Sequence, residues 1–221
     1  MRHTRSMRVV WVVLLAALML AACRSVAPTS SSLPGAEVRE YQGENLSSVR
    51  DFRENSIAGP QQVSLDKYKL DVVGLVDKPL SLSYDQALAN PHYSKVVTLY
   101  CVEGWDAKIL WEGVLIDDLL RPAGIQDGAV TVIFHAADGY TSSLPLEYVR
   151  QNKIMLAFKM NDIALPAERG FPFQVVAESK WGYKWVKWVT KIELSADPDY
   201  RGYWEDRGYN NDADLKGPMF E

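Results

Sequence analysis

Cysteine and histidine are scarce in this chain of 221 residues, with two of one and three of the other. Cys23 ends an apolar leader, so Cys101 stands alone in the body and no internal disulfide staples the fold. His92 and His135 are the histidines beyond the leader, and with one thiol they are too few for a zinc site. There is no C-x-x-C-H run, which excludes a covalently attached c-type haem. Positive charge is also short. Without residues 1–22 the chain keeps 21 Lys and Arg against 28 Asp and Glu, a net charge near −7. That balance excludes the basic stripe of a nucleic-acid binder. Long apolar runs are missing too: Val9 to Ala22 falls short of the ~20 residues that span a bilayer. No internal repeat of a fold-defining kind is present.

The leader itself is informative. Arg2, Arg5 and Arg8 make a positive start, the apolar run follows, and Leu20-Ala21-Ala22-Cys23 closes it. This is the pattern of a secretory signal, and its end resembles the lipobox of bacterial lipoproteins. The expectation is a signal over 1–22 and acylation of Cys23. That anchors the chain on the periplasmic side of a bacterial envelope membrane. Arg24 is not the aspartate that retains lipoproteins at the inner membrane in some bacteria, which leaves the outer membrane open. Residues 23–36, with the Ser/Pro-rich APTSSSLPG, read as a flexible tether. A body of ~160–190 residues suits one domain with a core of its own.

Along the body, 37–60 is polar and reads as an arm lying over the fold without a core role. Tyr68 to Val73 predicts a strand ending at Gly74, and Leu80 to Leu82 a short extended piece. Ser83 with Gln86 is a capping box for a helix over Tyr84 to Ala89 that Pro91 stops. Strands are predicted over Val96 to Tyr100, Ile109 to Val114, Val130 to Phe134, Ile154 to Phe158 and Phe173 to Ala177. Asp117-Asp118 open a short helix, Asp138-Gly139 and Asn161-Asp162 are turns, and Ser143 to Arg150 predicts a helix with Pro145 near its start. Tyr183 to Leu194 predicts a strand with Val186, Trp188, Thr190, Ile192 and Leu194 on its core face. Its other face carries Trp185 beside Lys187, which is either solvated or able to hold a planar anion by stacking and charge. Beyond Ser195, 196–221 is an aromatic and charged tail in which Arg-Gly-Tyr occurs twice. It packs on the domain or on a partner.

Cys101 follows a buried strand and precedes Gly104 and Trp105. Three readings stay open: a small buried hydrophobe, a nucleophile, or one thiolate ligand to a metal held mainly by something else. Soft sulfur suits a transition metal better than magnesium or calcium.

Cys101-Val102-Glu103-Gly104-Trp105 resembles the cysteine loop of the sulfite oxidase superfamily, the oxidoreductase molybdopterin-binding domain. It is most like that of the periplasmic methionine-sulfoxide reductase catalytic subunits. The likeness runs from about Phe52 to Leu194, through Tyr68–Gly74, Lys78-Pro79-Leu80, Leu144-Pro145-Leu146, Leu156–Asn161, Gly170–Val176 and Val186-Lys187-Trp188. The resemblance implies an α+β fold of mixed β-sheets with short helices in a single domain. It implies a molybdenum cofactor (Mo-molybdopterin) with Cys101 as the thiolate ligand to the metal and the catalytic residue. Cofactor-contacting positions fall on Phe52, Arg53, Glu54, Asn55, Ser56, Asp138, Arg169, Gln174, Trp185, Val186 and Lys187. Gln174 stands where the family often has arginine, and Arg169 where relatives carry histidine or asparagine.

The implied activity is oxygen-atom transfer on a small substrate by a membrane-anchored molybdenum oxidoreductase. The chain shows no second redox group of its own, so electrons pass to or from a separate cytochrome or membrane haem protein. Glu103, Trp105 and His135 are candidates for shaping substrate access. The alternative is a non-catalytic binding module that retains the fold without molybdenum. It is favoured by Gln174 and by the fact that Arg2, Arg5 and Arg8 are never adjacent, as a twin-arginine leader requires.

Overall fold

A computed structural model describes residues 36–221; the leader, Cys23 and most of the expected tether lie outside the described residues. The arm opens with a small hairpin, β1 (Glu40–Tyr41) and β2 (Glu44–Asn45). Two five-stranded sheets follow. One takes β3 (Leu70–Gly74) and β4 (Leu80–Leu82) from the first part of the body. It adds β7 (Thr131–Ala136), β8 (Thr141–Pro145) and β12 (Val189–Ser195), in the order β4-β3-β12-β7-β8. The other takes β5 (His92–Tyr100), β6 (Asp106–Leu115), β9 (Met155–Met160) and β10 (Ile163–Ala164), in the order β10-β9-β6-β5. There β11 (Gln174–Val176) also pairs with β9. Three short helices, α1 (Tyr84–Leu88), α2 (Ile116–Leu120) and α3 (Leu146–Gln151), link strands. All pairings between these strands are antiparallel except β12 on β3.

The expected α+β architecture of mixed sheets and short helices is present. The capping box forms as read, with the Ser83 hydroxyl accepting from the Gln86 N–H and the Gln86 carboxamide accepting from the Ser83 N–H. The core is lined by the alternating apolar positions of both sheets, among them Leu70, Val72, Ile109, Trp111, Phe134, Leu156, Ile192 and Leu194.

Four expectations are corrected. Ser143 to Arg150 is not one helix: Ser142, Ser143 and Leu144 pair in register with Phe134, Ile133 and Val132, and the helix starts only after Pro145. Proline ahead of a first turn forfeits no intrahelical hydrogen bond. Tyr183 to Leu194 is not one strand either. Gly182–Lys184 is a 3-10 turn, Trp188 takes φ +51°, and the sheet begins at Val189. A tryptophan at positive φ ends strict alternation, so Tyr183 and Trp185 are buried and form no exposed ribbon with Lys187. The arm does have a core role, because Val49 and Phe52 join the main cluster. Finally, β5 begins at His92, earlier than Val96, because antiparallel pairing with β6 extends to His92 opposite Val114.

The tail packs on the domain. At Gly202 any Cβ would lie 2.3 Å from the Thr141 carbonyl oxygen, so only glycine lets the tail press this closely on β8. Next to it, Glu205 is fully buried and its carboxylate meets the buried Lys184 ammonium at 2.6 Å. The same oxygen accepts from Ser142 Oγ at 2.5 Å, and Lys184 also donates to Asn211 Oδ1 at 3.2 Å. Burial pulls the Lys184 pKa down while Glu205 pulls it up, so each charge depends on the other.

Lys184→Met strands the Glu205 charge in the interior and is expected to lower unfolding free energy by about 3–5 kcal/mol. Adding Glu205→Leu should restore more than half of that loss; denaturant unfolding of the three proteins measures both.

Candidate active site

The site is built on the loop that leaves β5. Its turn is closed by the Cys101 N–H donating to the Trp105 carbonyl at 2.9 Å and the Gly104 N–H donating to the Cys101 carbonyl at 3.1 Å. Gly104 takes φ +83°, a conformation that costs glycine little. The loop seats the thiol on the wall of a cavity of about 220 Å³. Cys101 is 8% exposed, so the sulfur is shielded from bulk water yet borders open space. The Asn55 carboxamide, from the arm, donates to Sγ at 3.3 Å.

Arg169 brings the arm to this place. Its guanidinium is buried and donates to three arm carbonyls: Nε to Val49 at 3.1 Å, Nη2 to Phe52 at 2.9 Å and Nη1 to Arg53 at 3.3 Å. It also lies 4.8 Å from the Phe52 ring centre, and Phe52 packs against Trp105 at 5.6 Å. A fork of fixed donors suits three carbonyls within one short segment better than a lysine point charge would. Across the cavity, Lys187 Nζ sits 2.6 Å from Glu54 Oε1 and over the Trp188 ring at 4.4 Å. Burial pulls the Lys187 pKa down, and the Glu54 carboxylate opposes the shift. Gly170, at φ +101°, lets Gln174 and Lys187 converge: a Cβ there would lie 3.1 Å from each of theirs.

Ten of the twelve predicted positions in the body line the cavity: Phe52, Arg53, Asn55, Ser56, Cys101, Asp138, Arg169, Gln174, Trp185 and Lys187. Glu54 reaches it through Lys187. Val186 does not line it; it is fully buried and its carbonyl accepts from the Val175 N–H at 2.9 Å. His135 is also absent from the walls, since it faces Glu193 across β7 and β12 at 2.9 Å. Glu103 and Trp105 are wall residues. The sequence reading missed Tyr140, Trp188, Trp204 and Tyr209. The only signal for the last two was the doubled Arg-Gly-Tyr of the tail, which says nothing about where the tail lies.

Among the described residues no three His, Cys, Asp or Glu side chains are grouped to hold a metal. Cys101 can therefore only complete the coordination of a metal that arrives chelated by other donors. The walls offer such a group partners. The Trp105 indole N–H is shut from solvent without a hydrogen-bond partner, and the Gln174 carboxamide lines the cavity. Lys187 and Arg53 add positive charge. The donor set fits a flat, anionic chelator of a soft metal.

Residues 57–204 match the family described as the oxidoreductase molybdopterin binding domain. The chain is 34% identical over 156 residues to the uncharacterized oxidoreductase YuiH of Bacillus subtilis, covering 70% of this chain and 78% of that protein. It is 33% identical over 165 residues to a putative protein-methionine-sulfoxide reductase subunit, YedZ1, of Azospira oryzae, covering 73% and 63%. Human mitochondrial sulfite oxidase is 30% identical over 188 residues, 72% of this chain but only 34% of that protein. Among solved structures, the sulfane dehydrogenase SoxCD of Paracoccus pantotrophus superposes with a TM-score of 0.60 at 26% identity, over 63% of this chain and 41% of that one.

Two outcomes follow from the geometry. Arg169→Met leaves three arm carbonyls without their donor and is expected to cost about 2–4 kcal/mol, with amide exchange at Val49 and Asp51 at least about tenfold faster; hydrogen exchange read by mass spectrometry checks this. His135 is held below its ordinary value of 6.5, first by burial and then by Lys191, against the pull of Glu193. The unfolded chain therefore takes up that proton first, and stability should fall as pH drops below about 6.5 until the folded-state pKa is passed. His135→Gln should flatten that part of the profile, as read by denaturation midpoints between about pH 7.5 and 5.

Proposed function

The chain belongs to the oxidoreductase molybdopterin binding domain family, and from that premise we propose that it is an extracytoplasmic molybdenum oxidoreductase acting on a small substrate. Its molybdenum–pterin group would lie in the cavity beside Cys101, with the Cys101 sulfur as the protein's ligand to the metal. The observation that carries this is the placement of one shielded thiol on a cavity whose walls have an unpaired indole donor and positive charge, with no metal-binding cluster among the described residues. When bound, that group supplies two-electron exchange coupled to transfer of an oxygen atom to or from the substrate.

The chain's own residues contribute binding, orientation and exclusion of water. Asn55 holds the sulfur from one side, and a donor to a thiolate moderates its electron donation to a metal. Lys187, Arg53 and Gln174 present charge and hydrogen-bond donors to an anionic ligand. Phe52, Trp105, Trp185 and Trp188 make the walls apolar, which raises the strength of those polar contacts. Tyr140 donates its hydroxyl to the Tyr183 carbonyl at 2.6 Å, and burial lifts its pKa well above 10, so it remains a protonated, fixed wall.

Electrons would be exchanged with a separate partner, such as a cytochrome or membrane haem protein, since the chain offers no second redox motif. Acylation at Cys23 would hold the enzyme beside such a partner. Among the described residues no helix is long and apolar enough to cross a membrane. The relatives' substrates suggest sulfur–oxygen compounds as the first class to assay.

Protein made with its own leader in its native host is expected to contain stoichiometric molybdenum and pterin by elemental analysis and fluorescence. Folded, exported protein without either overturns the proposal. Cys101→Ser should lose more than ~100-fold in turnover, beyond the ~10–100-fold typical of residues that only support a metal ligand, while the thermal midpoint stays close to wild type.

A further inference from the structure

The tail between Arg201 and Tyr209 takes no part in the function proposed above, yet Trp204 and Tyr209 line the same cavity as Cys101. Trp204 is 37% exposed, which puts it at the open side of that cavity. A half-exposed indole is normally free to change rotamer, but this one is braced. Tyr203 meets it edge-on at 5.2 Å and Tyr209 tilted at 5.3 Å; Tyr209 is itself packed by Tyr183 at 5.1 Å and Phe220 at 4.8 Å. Neither described aromatic neighbour lies parallel to the indole, the interplanar angles being 87° and 57°. No parallel stack therefore forms on the indole among these neighbours, and it keeps 37% of its surface exposed.

The backbone under Trp204 is equally fixed. Its neighbour Glu205 is the buried partner of Lys184 and Ser142. Arg201 grips both carboxylate oxygens of Glu221 at 2.8 Å and also donates to the Glu205 carbonyl. A buried ion pair adds little net stability over apolar packing of the same volume. What it adds here is a defined position for the residue beside it. Rigid aromatic surface of this kind is how a site presents contact area without losing side-chain entropy on binding.

We propose, on the oxidoreductase reading above, that Trp204 backed by Tyr209 is the specificity-determining wall of the cavity mouth. It stacks the non-reacting part of the substrate and favours substrates that carry a flat apolar substituent over small bare ones.

The test uses full-length, molybdenum-loaded enzyme and its Trp204→Ala, Trp204→Leu and Trp204→Phe forms. Titration calorimetry compares methyl phenyl sulfone with dimethyl sulfone. Wild-type protein is expected to prefer the phenyl probe, and Trp204→Ala and Trp204→Leu to lose up to about tenfold in affinity for it, while Trp204→Phe keeps most of that preference. A second readout is reduction of methyl phenyl sulfoxide against dimethyl sulfoxide. Here the S–O bond is cleaved with two electrons from reduced viologen and two protons, giving the sulfide and water. The ratio of kcat/KM between the two sulfoxides should fall by a similar factor, mostly through KM. Equal affinity of wild-type protein for the two sulfones, or equal losses on both in Trp204→Ala, overturns the wall. Trp204-dependent binding of the phenyl sulfone in an enzyme that reduces neither sulfoxide leaves the wall standing and counts instead against oxygen transfer.

Discussion

The grip of one buried guanidinium on three carbonyls of the arm holds the site together. Arg169 turns a polar segment with few apolar residues into the fourth side of a cavity. Once Val49, Phe52 and Arg53 are fixed, Phe52 can fill the space beside Trp105, and Asn55 can reach the sulfur. Glu54 falls opposite Lys187 by the same placement. Each contact is modest alone, but they share one backbone stretch. They form or fail together, which is the condition for measured couplings to depart from additivity.

Much of the fold was legible in the residues because most of its elements obey local rules. The Ser83 and Gln86 pair, the alternation in β3 and the paired turn at Asn161 and Asp162 need nothing distant to specify them. The errors came where tertiary contacts overrule the local pattern. Pro145 looked like a helix start inside a longer helix, but β7 recruits the serines before it into a ladder. Trp188 alternates well on paper and yet turns left-handed, its N–H bound to the Gly170 carbonyl and its indole to that of Ala167. With that reversal Trp185 is buried, and it lines the cavity together with Lys187.

The site was legible in a different way. Cys101 stood out because it is alone, and the family likeness carried the other positions onto the chain residue by residue. Nine of those positions line one cavity with Cys101; Val186 does not, because a likeness of sequence marks a segment and cannot say which side chain of the segment turns inward. Trp204 and Tyr209 escaped notice because their place depends on a buried ion pair between residues 21 positions apart. No composition or period reveals such a pair in advance.

The sheet order carries a consequence for synthesis. β12 lies at the centre of its sheet, parallel to β3, and the two meet across more than half of the described chain. Until Ser195 has left the ribosome, β3 with β4 and β7 with β8 are two ribbons with no strand between them. That sheet therefore cannot close while the chain grows. Pairing of this span is slow to nucleate, so a nascent polypeptide of this design emerges with the inner edges of β3 and β7 still unpaired.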